Sequence, residues 1–497
     1  THFSHFLVRP SSPPTSDRFH LAFLMPFARI LRSSALMGGA QAVTLATAFV
    51  RSKLIAVTIG PSGIGLLGVF NTFNSNVSTV AGWGLGTSAV RMIAGATPED
   101  REGKVAAVRS LGRRLAALAA AAVVVAFLPA AYLAFDSQRY SLELLVAGLS
   151  VPCMVATMTW NSLLQAGGHV GSMARTQIAG SFLGLLAGAP AVFFLGAMGV
   201  ALSILFASLA TAYVTWRAAA RLCPPGDVAP AAADRRELLQ LGLILQVGGV
   251  VGAVSAYLVR ALIVRSHGPD LAAGLADAGS YQAAFAITGS LPGVIFSAAS
   301  SDFYPRVAAA ADEGEARRIT EKQVQASLLL ATPILAALLV LGPWAVGFLY
   351  AKGFEPAATL LSWFVWAIFC NLIGWPFGFW VVARRSKRTV AAFQSLFGVA
   401  TLVLALALVP IWGVRGAAIA YFGGSVAYLL LLLAVTRRFT GSWLGGETAA
   451  WAAAAGLLLG ACATQVMTAP GFALVGLASA ACLAIYLRAM RGQGGER

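Results

Sequence analysis

Phe49-Val-Arg51-Ser-Lys53-Leu-Ile-Ala-Val-Thr-Ile-Gly60-Pro61 and, in the second half of the chain, Tyr257-Leu-Val-Arg260-Ala-Leu-Ile-Val-Arg265-Ser-His-Gly268-Pro269 share one plan. Each places Val-Arg inside an apolar stretch and closes on Gly-Pro. Apolar runs of about twenty residues, enough to cross ~30 Å of hydrocarbon at ~1.5 Å per residue, surround both. An arginine within such a run costs on the order of 2.5–3.5 kcal/mol to insert, so it belongs on a bundle interior or a wet cavity. The repeat therefore predicts two related groups of membrane helices, each bringing a cation inwards.

The rest of the chain agrees with a membrane bundle. Of 497 residues, 58% are hydrophobic and 11% charged, and the mean hydropathy is +0.78. Soluble domains carry about a quarter charged residues. Apolar runs predict spans near 33–60, 64–95, 111–135, 141–165, 172–195, 198–216, 238–265, 279–301, 323–350, 357–383, 389–409, 414–436, 448–467 and 471–487. The fold class is an all-α polytopic membrane protein of about fourteen spans, with twelve as the alternative because the last two are short and rich in Ala and Gly.

Charge sets the orientation. With the amino terminus cytoplasmic, the cytoplasmic segments hold 28 of the 35 Lys and Arg and the outer loops three (Arg139, Lys352, Arg415). Such a split is the positive-inside pattern and puts both termini in the cytoplasm. It also accounts for the net charge of +16 without nucleic acid.

Residues 1–28 read as a disordered extension without the features of a signal peptide, and 29–217 as a first six-helix lobe. Residues 218–237 form a cytoplasmic linker, 238–437 a second lobe parallel to the first, and 438–497 two extra helices and a tail. Two parallel repeats around a central site are a common transporter plan.

Candidate ligand-binding residues follow from the buried cations. Arg51, Lys53, Arg260 and Arg265 lie within spans. At ~100° per residue, Lys53 points ~200° from Arg51 and Arg265 ~140° from Arg260, so the four cannot line one cavity on regular helices. Lys53 and Arg265 are also close enough to the outer exits to snorkel, and structural pairing is the competing account for all four. No Asp or Glu lies deep in any span. A cavity with cations and no acids favours an anion such as phosphate or pyrophosphate. Asn71, Asn74, Ser75 and Ser78 form one polar helix face, suited either to sugar hydroxyls or to joining helices. Gln246, Tyr257, Tyr281 and Gln282 are further polar candidates. The five cysteines and five histidines show no metal-ligand spacing, so neither metal nor cofactor is expected.

With these pieces go Gly60-Pro61-Ser-Gly-Ile-Gly-Leu-Leu-Gly68, Gly82-Trp-Gly-Leu-Gly-Thr-Ser-Ala-Val-Arg91, Gly279-Ser-Tyr-Gln-Ala-Ala284, Asp302-Phe-Tyr-Pro-Arg306 and Gly374-Trp-Pro-Phe-Gly-Phe379. Together they resemble the O-antigen translocase (Wzx-type) branch of the multidrug/oligosaccharidyl-lipid/polysaccharide exporter superfamily, over residues 30–437. The resemblance implies a two-lobed bundle in the bacterial inner membrane. It would move an undecaprenyl-pyrophosphate-linked oligosaccharide from the cytoplasmic to the periplasmic leaflet by alternating access, alongside other polysaccharide-assembly proteins. In related flippases cations of the first span line the cavity, a role that would fall to Arg51. Carrying it to Arg260 rests on the internal repeat.

Two alternatives remain. A small-molecule exporter of the same superfamily would usually carry a buried carboxylate. A membrane glycan polymerase or ligase would need reacting groups on the outer face, where the loops are short and no nucleophile–base pair assembles. An enzyme is therefore not expected.

Overall fold

The computed structural model describes residues 16–97, 99–224, 231–384, 387–441 and 443–494. Among them the chain forms fourteen helices. The first half comprises α1 (Ser16–Thr58), α2 (Pro61–Gly82), α3 (Leu85–Ala94), α4 (Arg101–Phe135), α5 (Ser141–Gly148), α6 (Ser150–Ala166) and α7 (Val170–Leu222). The second comprises α8 (Ala232–Arg265), α9 (Leu271–Ala309), α10 (Glu313–Leu349), α11 (Glu355–Arg384) and α12 (Lys387–Thr440). Then come α13 (Gly446–Ala463) and α14 (Ala469–Gly494), packed on α10. Residues 1–15 and, within the predicted linker, 225–230 lie outside the described residues.

Helices and spans correspond once four special cases are read. The second span is α2 with α3, interrupted where Trp83 and Gly84 turn left-handed (φ 46° and 65°). The fourth is α5 with α6. α7 and α12, at 53 and 54 residues, are too long for one crossing. Each breaks at a glycine, Gly196 (φ 54°, ψ −125°) and Gly413 (φ 54°, ψ −137°), in a conformation closed to ordinary side chains. Each then doubles back, so that Gly180 faces Thr211 and Gly188 faces Ser203 in α7, and Gly424 faces Thr401 in α12. Both turns read Gly-x-x-Gly, Gly196 to Gly199 and Gly413 to Gly416, a second echo between the halves. Fourteen passages result, in the positions that the apolar runs predict. Eight described helical segments are long and apolar enough for a membrane by length and composition.

The halves join most closely where α2 lies along α9. A Cβ on Gly65 would overlap the Leu275 carbonyl oxygen, and one on Gly279 would overlap that of Pro61. Both positions must therefore be glycine for the two backbones to touch. Ser62 Oγ donates to the Ala272 carbonyl (3.2 Å) beside this contact. One buried core runs from α2 and α4 through α8 and α9 to the start of α11, spanning both halves. A second fills the remainder of α9–α13.

Candidate functional site

The site starts from a helical stripe. Thr44, Thr47, Ala48 and Arg51 recur at three- and four-residue intervals, so they share one face of α1. That face looks onto α6 and the two arms of α7 across a cavity of about 570 Å³, within the range of small-molecule pockets. α6 contributes Thr157, Asn161 and Gln165, again one face, and α7 contributes Ser181, Ser208 and Thr211. Close packing of α7 on itself at Gly180 and Gly188 brings Ser181 and Thr211 to one wall.

Several wall hydroxyls are already committed as donors. Thr44 donates to the Ala40 carbonyl (2.9 Å), Thr157 to Cys153 (2.8 Å), Ser181 to Ile178 (2.9 Å) and Thr211 to Ala207 (2.8 Å). Their oxygens remain available as acceptors. Arg51 supplies donors: its Nε is buried without a hydrogen-bond partner. Among the described residues no hydrogen bond, ion pair or aromatic ring engages its guanidinium. None of the described lining residues is acidic. A guanidinium this far inside, with no counter-charge, leaves charge and donors to spare for an anion. The arrangement can hold a group that is anionic at one point and rich in hydroxyls elsewhere.

The other sequence candidates lie apart from this cavity. Lys53 does not line it: Nζ donates to the Phe348 carbonyl and sits 5.7 Å from the Phe348 ring centre. Arg265 pairs with Asp136 at 2.8 Å, tying α8 to the end of α4. Arg260 is buried in the second half. Its Nη2 donates to Gln282 Oε1 (2.9 Å) and Nη1 to the Ala256 carbonyl (3.2 Å). Tyr281 and Phe285 lie 5.5 and 5.4 Å from its guanidinium carbon. Gln282 in turn presses on Gly68 of α2, so the α2–α9 seam caps this arginine.

Asn74 is buried and donates to the Ala147 carbonyl (3.0 Å) and Ser150 Oγ (2.9 Å), joining α2 to α5 and α6. Asn71 is half-buried one turn away, and Ser78 bonds its own helix at Ser75. Gln246 reaches the Thr79 carbonyl (3.0 Å), and Tyr257 the Ala130 carbonyl (2.7 Å). Of the candidates, then, the fold brings Arg260 and Gln282 into direct contact and sets Arg51 alone on the cavity.

Asn161, Gln165, Ser208 and Thr211 were absent from the sequence candidates. Thr157, Asn161 and Gln165 stand four residues apart, a stripe as regular as the one on α2. Periodicity marks such a stripe without saying whether it meets a neighbouring helix or a cavity.

Among the described residues, no group of three His, Cys, Asp or Glu is placed to hold a metal ion. The family pattern described as Polysaccharide biosynthesis protein matches residues 30–311. No curated protein matches the chain. Among solved structures, "Lipid II flippase MurJ, inward closed conformation" is similar at 12% identity and TM-score 0.69, over 93% of this chain and 99% of that one. A multidrug resistance MATE family transporter of the MOP superfamily in its inward-facing conformation is similar at 15% identity and TM-score 0.64, over 85% of this chain and 98% of that one. A MOP superfamily transporter from Pyrococcus furiosus follows at 14% identity and TM-score 0.54, over 84% and 96%. At these identities the likeness establishes the fold, a two-halved transporter architecture.

Proposed function

The chain belongs to the polysaccharide biosynthesis protein family, and from that premise we propose that it is a flippase for a polyprenyl-diphosphate-linked oligosaccharide. It is a transporter with this fold, not an enzyme. The observation that carries the proposal is Arg51 at the wall of a cavity whose described lining holds no acid and whose other polar groups there are hydroxyls and amides. Diphosphate next to sugar is the chemistry those groups match: guanidinium for the phosphates, side-chain oxygens and amides for the sugar hydroxyls.

In this reading the lipid carrier is undecaprenyl diphosphate and the saccharide an O-antigen or related surface-polysaccharide repeat unit, as in Wzx-type translocases. The arginine-rich loops face the cytoplasm, both termini with them, and the membrane is the bacterial inner membrane. Two lobes, 29–217 and 238–437, rock against each other to expose the cavity to one leaflet and then the other. Arg51 takes the diphosphate with the α2–α9 seam closed. Arg260 and Gln282 meet it when the seam parts, since the seam caps them.

A small-molecule exporter is the second reading, supported by the fold shared with a multidrug transporter. The described lining of the cavity counts against it for cationic drugs, since it offers them no carboxylate.

The test is the sidedness of the lipid-linked oligosaccharide in cells depleted of the protein, measured in sealed inside-out and right-side-out vesicles. Accumulation on the cytoplasmic leaflet with loss of surface glycan is the expected result. Normal delivery to the periplasmic leaflet overturns the proposal.

A further inference from the structure

A second cavity, of about 750 Å³, adjoins the first along the same pair of helices. Val50, Leu54 and Val57 of α1 and Leu186, Ala189 and Phe193 of α7 form its walls, and Lys53 is the one charged residue among the described residues of its lining. Leu185 lines both cavities, so one opens beside the other. Along α1 the order is Arg51 with its hydroxyl-rich cavity first and then this apolar groove, which runs on towards the arginine-poor end.

We infer that this groove holds the first part of the polyisoprenyl chain of the substrate whose diphosphate meets Arg51. The inference rests on the flippase reading and adds where the lipid goes. Arg51 lies nine residues before Gly60, just past the end of α1, which at ~1.5 Å per residue is about 13 Å, near the middle of a ~30 Å core. A headgroup drawn that deep from the arginine-rich side leaves its chain no room to continue straight within its own leaflet. The chain must pass sideways or onward, and the α1–α7 groove continues onward from the headgroup's position. The tail then already lies in the receiving leaflet, and only the polar head remains to move. A bilayer phospholipid keeps its own headgroup at the membrane surface, so continuity with Arg51 selects a lipid whose charged group has been drawn inside.

The experiment uses the full-length protein in proteoliposomes. Its two probes are a radiolabelled monosaccharide diphosphate on a long polyprenyl chain and the same headgroup on a ten-carbon chain. A photoreactive side chain at position 189 should capture the long-chain probe, with competition by unlabelled long-chain diphosphate. One at Val125, an exposed position on α4, should capture only bulk phospholipid.

Ala189→Trp, which fills the groove, should weaken the long-chain probe by at least about tenfold while leaving the ten-carbon probe unchanged. Val125→Trp should change neither. Capture of phospholipid alone at position 189, or equal long-chain affinity in Ala189→Trp and wild type, overturns the inference. Arg51→Gln separates the two levels of the argument. If it weakens both probes while Ala189→Trp weakens neither, the groove assignment alone fails. If Arg51→Gln weakens neither, the flippase reading fails with it.

Discussion

Arg51 and Arg260 occupy matching places in the two halves of the sequence, each after a valine and ahead of a Gly-Pro exit. Their surroundings differ. Arg51 has open space before it and, among the described residues, nothing that consumes its hydrogen-bond donors. Arg260 is held by Gln282, the Ala256 carbonyl and two aromatic faces. A buried guanidinium must find either fixed protein partners or a ligand. The second half supplies protein partners, and on the proposed reading the first half keeps its guanidinium for the substrate's diphosphate, so the repeated motif would serve two purposes.

The largest expected effect follows directly. Arg51→Gln keeps a polar side chain of similar reach but removes the charge. Losing a charge-assisted contact of about 3 kcal/mol lowers both headgroup binding and transport by roughly a hundredfold. Arg51→Lys should recover only part of this, because an ammonium cannot present the planar fork. Binding and transport of labelled lipid-linked saccharide, at matched protein levels, provide the check. An unchanged Arg51→Gln variant would erase the distinction drawn between the two arginines.

Next comes the seam that caps Arg260. Gly65→Val must push α2 away from Leu275, because backbone rather than a movable side chain stands where the new atoms would go. Overpacking of this kind costs about 1–3 kcal/mol, so the closed state should lose roughly tenfold to a hundredfold in population. Spin-label distances across the ends of α2 and α9 should lengthen, and transport should fall with them. Full transport with unchanged distances would show that the seam does not have to close this tightly.

How much of this was legible beforehand depends on the range of the interaction. The passages were, because apolar length is a local sum that needs no contacts. So was the turn region within α7, since the predicted spans 172–195 and 198–216 leave Gly196 between them. The break at Trp83–Gly84 was legible in part: three alternating glycines (Gly82, Gly84, Gly86) mark a place for close packing or bending, without saying that the helix parts there. The ends of the polar stripes on α2 and α6 were not. Asn74 finds Ser150 and the Ala147 carbonyl, whereas Asn161 lines the cavity. Both are asparagines on amphipathic faces, and the difference lies in which helix is opposite.

Arg260→Gln should have the third effect, different in kind. With the seam closed both terminal nitrogens of its guanidinium are hydrogen-bonded, to Gln282 and the Ala256 carbonyl, so headgroup binding in that state should match wild type. If Arg260 meets the diphosphate only when the halves part, transport alone should fall, by about tenfold for one charge-assisted hydrogen bond of ~1.5 kcal/mol. Binding and transport falling together would place Arg260 in the same step as Arg51. Neither falling would make it a structural cation, with Gln282 and the aromatic rings its permanent partners.

The smallest effect belongs to the pair that ties α8 to α4. Arg265 and Asp136 meet at 2.8 Å, but their side chains remain 42% and 57% exposed. Water and salt screen such a bridge to about 0.2–1 kcal/mol. Asp136→Asn should therefore change transport by less than about fivefold, in the direction of an easier parting of the halves. The informative quantity is its salt dependence. In wild type, raising ionic strength should weaken the bridge and bring the transport rate towards that of Asp136→Asn, while the variant's own rate stays flat. If wild type and variant respond identically to salt, the bridge bears no part of the closure. The load then falls on the neutral contacts of the seam, Gly65 against Leu275 and Gly279 against Pro61, which salt cannot reach.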